Sequence, residues 1–233
     1  MHGLILAGGL GSRLAADGVA EPKALVPIGG RPLLGRLCDT LEALGCSTIT
    51  CLVREGVAAE AVVGSSPRRR VRFCATPSSL HTLVLGLEAV PPGPVFCSMV
   101  DTVMPWDDWQ AVWSSWLRAS AEGVGAMVAV TRPSLREQTP LRVQVDGAYR
   151  VTCIGSEARD STWCTAGVYG FGPAARNLAA AAAAEGIQRM RGFLARLVLA
   201  GLRIQAVPVA RSLDLDRKAD LEEANAWAPA EVP

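Results

Sequence analysis

Residues 2–23 of the chain, HGLILAGGLGSRLAADGVAEPK, contain the pattern that decides the fold. The apolar start of this stretch predicts a buried β-strand. The glycines that follow predict a tight loop whose backbone amides approach an anion. Arg13 adds a planar set of donors and Lys23 adds a compact positive charge. A strand followed by such a loop predicts a site for the phosphates of a nucleoside triphosphate.

The lysine content supports a specific role for Lys23. The chain has 23 basic residues, and only Lys23 and Lys218 among them are lysines. Lysine is a compact charge that can follow a phosphate through a reaction, whereas arginine favours a fixed planar pairing. We therefore expect Lys23 to contact a reacting phosphate. Lys218 lies at a predicted helix start, where an exposed surface role is an equal alternative.

The glycine spacing argues against two familiar phosphate-binding motifs. No Gly-Lys-Ser/Thr follows the glycines, so the stretch is not a P-loop. The spacing also differs from the Gly-x-Gly-x-x-Gly fingerprint, which disfavours a dinucleotide-binding oxidoreductase.

The stretch resembles the signature of the nucleotidyltransferase family that makes nucleotide-sugars and related activated molecules. That signature is Leu-Ala-Gly-Gly-x-Gly-Ser/Thr-Arg-Leu, a short gap, and Pro-Lys, and residues 24–34, ALVPIGGRPLL, continue as the family does. The resemblance implies that Arg13 and Lys23 are catalytic. It further implies that the nucleotide is bound by Leu6, Ala7, Gly8, Gly9, Gly11 and Ser12.

Composition favours one enzyme domain. The chain has 233 residues, 50% of them hydrophobic and 19% charged, which is enough to bury a sizeable core. Strand-like apolar runs alternate with helix-length segments, a pattern typical of a Rossmann-like, mostly parallel sheet with helices on both faces. We assign residues 1–227 to this single α/β domain and expect residues 228–233 to form a disordered tail.

The predicted elements follow from these patterns. Strands are predicted near 2–6, 48–53, 71–75, 94–100, 126–131, 142–154, 165–171 and 203–209. Helices are predicted near 31–44, 57–63, 79–89, 106–121, 173–185, 190–200 and 217–227.

Charge and cysteine content limit the partners and the compartment. The net charge of +1 gives no case for nucleic acid or an acidic membrane surface, and we interpret residues 68–70 as a solvated loop. The seven cysteines include no Cys-x-x-Cys pair, so we expect buried thiols in a reducing, cytoplasmic setting. We also expect no signal peptide, from residues 1–3, and no membrane span, because no apolar run reaches about 20 residues.

Two acidic segments predict a metal site. Asp101 directly follows the apolar run 94–100, and an aspartate at that strand end is costly unless it pairs or binds a cation. The resemblance implies that Asp101 is a ligand of Mg²⁺. Residues 213–221, LDLDRKADL, resemble the family's late acidic motif, in which an aspartate completes this site. Alternation places Asp214 and Asp216 on one side of an extended segment, and we favour Asp214 over Asp216.

The expected chemistry needs no general base. Two carboxylates would hold Mg²⁺ against the α-phosphate and the leaving pyrophosphate, while Arg13 and Lys23 neutralise the developing charge. An acceptor phosphate is already anionic at neutral pH, so catalysis reduces to positioning and charge neutralisation.

The base and the acceptor are less well defined. Many sugar-1-phosphate members carry Gln-x-x-Pro-x-Gly-Thr-Ala where this chain has ATPSSLHTL at residues 75–83, which weakens a thymidylyl or uridylyl assignment. The serines resemble members that use CTP with small phosphorylated alcohols. We expect Ser79 to contact the nucleotide, and helix capping by Ser78 or Ser79 is an equal alternative.

On the acceptor side, the resemblance is partial. Glu157 stands near the family's sugar-contacting glutamate, and Arg159 would replace a phosphate-binding lysine. Residues 163–171 resemble the family's Asn-Ala-Gly-Ile-Tyr-x-Phe strand, with Thr165 in place of asparagine and Gly167 allowing a close backbone approach.

These features together predict a Mg²⁺-dependent enzyme that transfers a nucleotidyl group from a nucleoside triphosphate to a phosphorylated small molecule. The favoured acceptor is a sugar 1-phosphate. The alternative within this class is a cytidylyltransferase acting on a phosphorylated alcohol or a phosphonate. The alternative of another class is a non-catalytic nucleotide-sensing domain.

Overall fold

The computed structural model describes residues 1–133 and 139–227. The predicted tail, 228–233, lies outside the described residues. The strands are β1 (His2–Ala7), β2 (Pro27–Ile28), β3 (Arg31–Pro32), β4 (Thr48–Arg54), β5 (Arg69–Cys74), β6 (Val95–Met99), β7 (Thr102–Val103), β8 (Ala126–Thr131), β9 (Val143–Val145), β10 (Val151–Ile154), β11 (Cys164–Phe171), β12 (Ile204–Pro208) and β13 (Leu213–Asp214). The α-helices are α1 (Ser12–Ala16), α2 (Leu33–Ala43), α3 (Glu60–Val63), α4 (Ser79–Ala89), α5 (Trp106–Ala121), α6 (Pro173–Ala184), α7 (Met190–Leu199) and α8 (Lys218–Trp227).

A seven-stranded sheet in the order β12-β8-β11-β6-β1-β4-β5 forms the centre of the molecule. Its neighbouring strands are parallel except at β11, which runs antiparallel to both β6 and β8. The prediction of a mostly parallel α/β sheet is therefore confirmed.

Helices cover both faces of this sheet, as predicted. On β1, Leu4 and Leu6 point to one face and Ile5 and Ala7 to the other, because side chains alternate along a strand. The first face packs against α4, α6 and α7. The second packs against α2, α3 and α5, whose Trp116 is fully buried against the sheet.

The strand directions bring the predicted site segments to one edge of the sheet. The carboxyl ends of β1, β6, β8 and β12 share this edge, and so does the amino end of β11, because β11 runs the opposite way. The residues that follow β1, β6, β8 and β12 therefore lie at the same edge as the residues that begin β11.

Residues 142–154 form two strands, so the prediction of one strand there is wrong. β9 and β10 pair antiparallel around a turn in which Tyr149 has a φ of 55°. The Asp146 carboxylate closes this turn by accepting hydrogen bonds from the backbone amides of Ala148 and Arg150, both at 2.9 Å. This local side-chain pairing competes with continued extension of the strand.

The arginine run at 68–70 is only partly a solvated loop. Arg69 and Arg70 belong to β5, which is an edge strand of the sheet. Arg69 is mostly buried and pairs with Asp39 at 2.8 Å and with Glu42.

A small third cluster of buried side chains lies beside the main sheet. It joins Val26 and Ile28 near β2 to Val103 of β7, Leu215 and Ala224 of α8. β7 and β13 pair antiparallel within it. No helix in the described ranges is both long enough and apolar enough to cross a bilayer.

Candidate active site

A cavity of about 450 Å³ opens at the edge of the sheet where the parallel strands end. Asp101, Asp214 and Asp216 line it. Thr165 and Gly167 of β11 also line it, as do residues that begin α7.

Backbone pairing brings the two acidic segments together. Asp101 follows β6, and its carbonyl oxygen accepts a hydrogen bond from the amide of Leu215 at 3.1 Å. The pairing of β13 with β7 sets Asp214 opposite Thr102. One carboxylate oxygen from each of Asp101, Asp214 and Asp216 lies within 4.8 Å of the others.

The catalytic cations predicted from the sequence contact these carboxylates. The Lys23 ammonium donates to Oδ2 of Asp101 at 2.8 Å and to Oδ1 of Asp216 at 2.7 Å. Arg13 donates to the other oxygen of Asp216. The side chain of Lys23 is 10% exposed, whereas that of Arg13 is 57% exposed.

The charges of the cluster shift the pKa values of its members. Burial alone lowers the pKa of Lys23, but the surrounding carboxylates, Asp101 first, outweigh it and raise that pKa well above its usual value. Burial opposes the effect of Lys23 and Arg13 on Asp216, yet these two cations hold the pKa of that carboxyl below its usual value.

Asp214 has the opposite shift. Its side chain faces the open cavity, but the cavity walls replace much of its hydration. That loss of hydration, followed by the negative charge of Asp101, raises the pKa of Asp214 well above its usual value, and Lys23 offsets only part of the effect. The protein therefore favours added positive charge beside Asp214.

Asp220 fixes the path of the chain between the carboxylates and α8. Its mostly buried carboxylate accepts hydrogen bonds from the backbone amides of Asp216, at 3.0 Å, and Arg217, at 2.7 Å. The Asp17 carboxylate at the end of α1 also accepts from the amide of Lys218 at 3.2 Å. The helix that carries Arg13 is thus tied to the acidic segment.

The three clustered carboxylates fit a divalent cation. Carboxylate oxygens are hard ligands of the kind that Mg²⁺ takes in proteins. Their mutual distances allow one ion to contact all three residues, and a cation there would offset both the lost hydration and the nearby negative charge that raise the pKa of Asp214.

The glycine loop lies between β1 and α1, as the sequence predicts. Leu6 and Ala7 are buried in β1, and Gly8, Gly9, Gly11 and Ser12 lead from it to Arg13, which lines the cavity. Gly11 has a φ of 62°, and a Cβ there would lie 3.2 Å from Cβ of Lys23. Glycine at this position lets the loop pass close to the lysine.

The two serines at the start of α4 have different roles. The Ser78 hydroxyl caps the helix by accepting from the amide of His81 at 3.4 Å. The Ser79 hydroxyl instead accepts from the amide of Met190 at 3.0 Å, which joins the start of α4 to the start of α7. Ser79 also lines the cavity, so the structure brings it to the predicted site.

The four predicted acceptor residues are divided by the structure. Thr165 and Gly167 line the cavity, whereas Glu157 and Arg159 are exposed and are not among the described residues that line it. Gly167 has a φ of 78°, and a Cβ there would lie 2.0 Å from Oγ1 of Thr102. The predicted close approach at Gly167 is therefore confirmed.

Three arginines at the cavity escaped the sequence analysis. They are Arg132, Arg189 and Arg191. Arg132 stacks over the ring of Trp163 at 4.1 Å, and Arg191 donates to the carbonyl oxygen of Thr139 at 3.5 Å. Position in the sequence could have identified Arg132, because it directly follows β8, much as Asp101 follows β6.

Comparisons with known proteins find relatives in sequence and in fold. A bifunctional GlmU protein from Cupriavidus necator is 37% identical over 93 residues, which cover 39% of this chain and 19% of that protein. The match thus spans about a fifth of the relative's length.

Solved structures share the fold over nearly the whole chain. A Bacillus anthracis protein assigned as a glucose-1-phosphate thymidylyltransferase has a TM-score of 0.83 and 17% identity, and the match covers 100% of this chain and 97% of that one. The inositol-1-phosphate CTP transferase from T. maritima has a TM-score of 0.77 and 17% identity, covering 97% of this chain and 96% of the other.

The family model described as the MobA-like NTP transferase domain matches residues 3–200. That range holds the glycine loop, Lys23, Asp101 and the β11 strand within one match. The chain therefore belongs to the MobA-like NTP transferase domain family and is a nucleotidyltransferase.

Proposed function

We propose that this protein transfers a nucleotidyl group from a nucleoside triphosphate to the phosphate of a small molecule, with a sugar 1-phosphate as the favoured acceptor. The observation that carries the proposal is the cluster of Asp101, Asp214 and Asp216 in contact with Lys23 and Arg13. These groups lie beside the glycine loop and line a cavity whose volume is in the range of small-molecule sites.

The reaction forms one phosphorus–oxygen bond and breaks another. An oxygen of the acceptor phosphate attacks the α-phosphorus, and the bond from that phosphorus to the bridging oxygen breaks, releasing pyrophosphate. Asp101, Asp214 and Asp216 would hold Mg²⁺, which supplies neutralisation of the phosphate charge when bound. Neither histidine of the chain lines the cavity, in keeping with a nucleophile that needs no general base.

The residues of the chain have distinct roles in this proposal. Amides of Gly8, Gly9 and Gly11 bind the triphosphate, with Leu6, Ala7, Ser12 and Ser79 around the nucleoside. Lys23 and Arg13 leave their carboxylate partners to neutralise the α-phosphate and the leaving group.

The arginines that line the cavity offer the acceptor phosphate a favourable place. Arg132, Arg189 and Arg191 line it together with Thr165 and Gly167, and guanidinium groups bind phosphate through paired hydrogen bonds. We place the acceptor phosphate beside these three arginines. Glu157 and Arg159 remain a hypothesis for contacts with the distal part of a larger acceptor.

A second candidate acceptor is a phosphorylated alcohol used with CTP. The serines at residues 78 and 79 replace the pattern of common sugar enzymes, and the CTP transferase from T. maritima matches the fold over 97% of this chain.

Ligand-induced stabilisation tests the proposal and identifies the base. Melting temperatures are measured with ATP, CTP, GTP, UTP and dTTP, each with and without Mg²⁺, for the wild type and Asp101→Ala. We expect one triphosphate to stabilise the wild type only with Mg²⁺ and to fail in the variant. Pyrophosphate release then compares sugar 1-phosphates with phosphorylated alcohols. Stabilisation that ignores both Mg²⁺ and Asp101 would instead support a nucleotide-sensing domain.

A further inference from the structure

The Lys23 ammonium lies where the carboxylate cluster would bind a cation. Its nitrogen is 2.8 Å from Asp101 and 2.7 Å from Asp216. Both partners belong to the three residues whose oxygens lie within 4.8 Å of one another. A single positive charge therefore already bridges two of the three candidate metal ligands.

The contacts leave little of this site free for a metal. Lys23 and Arg13 occupy both oxygens of Asp216, and Lys23 occupies one oxygen of Asp101. Among the described residues, Asp214 has no basic side chain at ion-pair distance. A divalent cation that contacts all three residues must displace the ammonium from at least one carboxylate or bind beside it against like-charge repulsion.

The Lys23 side chain is also shielded from solvent and closely packed at its base. It is 10% exposed, so solvent screens its charge only weakly. The 3₁₀ turn Lys23–Leu25 that carries it packs closely beneath Gly11, which limits alternative positions of the lysine stem.

From this arrangement we infer that Lys23 is a built-in counter-cation that keeps the metal affinity of the nucleotide-free protein low. The inference rests on the proposed function and extends it. A triphosphate bound at the glycine loop offers Lys23 a stronger anionic partner. The carboxylates are then released, so the divalent cation binds together with the nucleotide and not before it.

The metal affinity of the nucleotide-free protein tests this inference. Free Mn²⁺ is measured by its electron paramagnetic resonance signal during titration of the wild type, Lys23→Met, Lys23→Arg and Lys218→Met. We expect Lys23→Met to bind Mn²⁺ at least about tenfold more tightly than the wild type does, since one adjacent positive charge is removed. Lys23→Arg keeps the charge and should stay close to the wild type. Lys218 is exposed and does not line the cavity, so Lys218→Met is the matched control for the loss of one lysine.

Two outcomes separate this inference from the proposed function. Equal or weaker Mn²⁺ binding by folded Lys23→Met would overturn the counter-cation role and leave the transferase proposal intact. Absence of Mn²⁺ binding in every variant, with and without nucleotide, would overturn both.

A measurement on the unaltered protein covers the case in which Lys23→Met does not fold. Lysine labelled with ¹³C at Cε gives two resonances in this chain, and Lys218→Met assigns them. We expect the Lys23 resonance to stay in place with Mg²⁺ alone and to move when a non-hydrolysable triphosphate analogue binds. Movement with Mg²⁺ alone, or none with the bound analogue, contradicts the inference.

Discussion

The backbone amide of Leu215 donates a hydrogen bond to the carbonyl oxygen of Asp101 at 3.1 Å. This contact joins segments more than a hundred residues apart in the sequence, and it sets their carboxylates side by side without using either side chain. Changes to the acidic side chains are therefore expected to alter charge and chemistry while the backbone arrangement persists.

Replacing Asp214 by asparagine is expected to stabilise the metal-free protein and abolish activity. The folded protein raises the pKa of Asp214, so the ionised carboxylate is penalised relative to the unfolded chain at neutral pH. We expect the melting temperature to rise by about 2–4 °C, which corresponds to about 1 kcal/mol in a domain of this size. The gain stays modest because solvent in the open cavity screens the charges.

The pH dependence of this gain follows from the same shift. Below the ordinary aspartate pKa of about 4, Asp214 is protonated in both states and the gain vanishes. The gain grows as the pH rises from that ordinary pKa towards the raised folded pKa and is constant above it, and it shrinks when Mg²⁺ is added. Denaturation curves of both proteins from pH 4 to 8 check this. A gain that is independent of pH would contradict the charge-based explanation.

Replacing Asp220 by alanine is expected to loosen the acidic segment. The change removes the acceptor for the amides of Asp216 and Arg217. Loss of such a cap costs about 1 kcal/mol. Denaturant unfolding measures this loss, and Mn²⁺ binding in the presence of nucleotide should weaken in parallel. Asp220→Asn retains an acceptor oxygen and should recover most of both properties, whereas equal losses in the two variants would point to charge alone.

Replacing Gly167 by alanine is expected to destabilise the fold at the cavity wall. A Cβ at Gly167 would lie 2.0 Å from Oγ1 of Thr102, in addition to the strain of a φ of 78°. Gly201→Ala is the matched control, because Gly201 has a φ of 72° and nothing within 4 Å of a Cβ. We expect Gly167→Ala to cost about 1–3 kcal/mol more than the control, the usual range for overpacking. Equal costs would mean that Thr102 moves aside freely.

Replacing Arg191 by glutamine is expected to weaken acceptor binding selectively. Arg191 lines the cavity and is one of the three arginines assigned to the acceptor phosphate. Loss of one charge-assisted contact should raise KM for the acceptor about tenfold, with little effect on KM for the nucleotide. Arg196→Gln is the control, since Arg196 lies on the same helix, pairs with Glu185 at 3.0 Å and does not line the cavity. An increase confined to the KM for the nucleotide would mean that the acceptor phosphate does not bind at Arg191.

Local patterns account for the parts of this fold that the sequence predicts well. The continuous apolar runs at β1 and before Asp101 identify buried strands, because each strand buries both faces against helices. Asp101 is a candidate because a carboxylate at a buried strand end needs a partner, whereas Asp214 and Asp216 are candidates because residues 213–221 resemble the family's late acidic motif.

Residues that meet through the topology alone were missed. Arg132 and Arg191 are far apart in the chain. They line one cavity because the carboxyl end of β8 and the amino end of α7 both face it. The reversed direction of β11 could not be seen locally either, since a strand that is covered on both faces is apolar whichever way it runs. The contacts of Lys23 with two carboxylates likewise depend on three separate segments.

The arginines of β5 have a consequence beyond the contacts of Arg69. β5 is the last strand on its side of the sheet, and its exposed residues include Arg70 and Arg72. A second copy that tried to extend the sheet here would bring its own arginines against these, and like charges disfavour such pairing. At the opposite end, the β9–β10 turn covers β12, where the carbonyl oxygen of Tyr149 accepts from the amide of Ala206 at 2.8 Å. The sheet is thus protected from edge-to-edge aggregation by charge on one side and by a covering turn on the other.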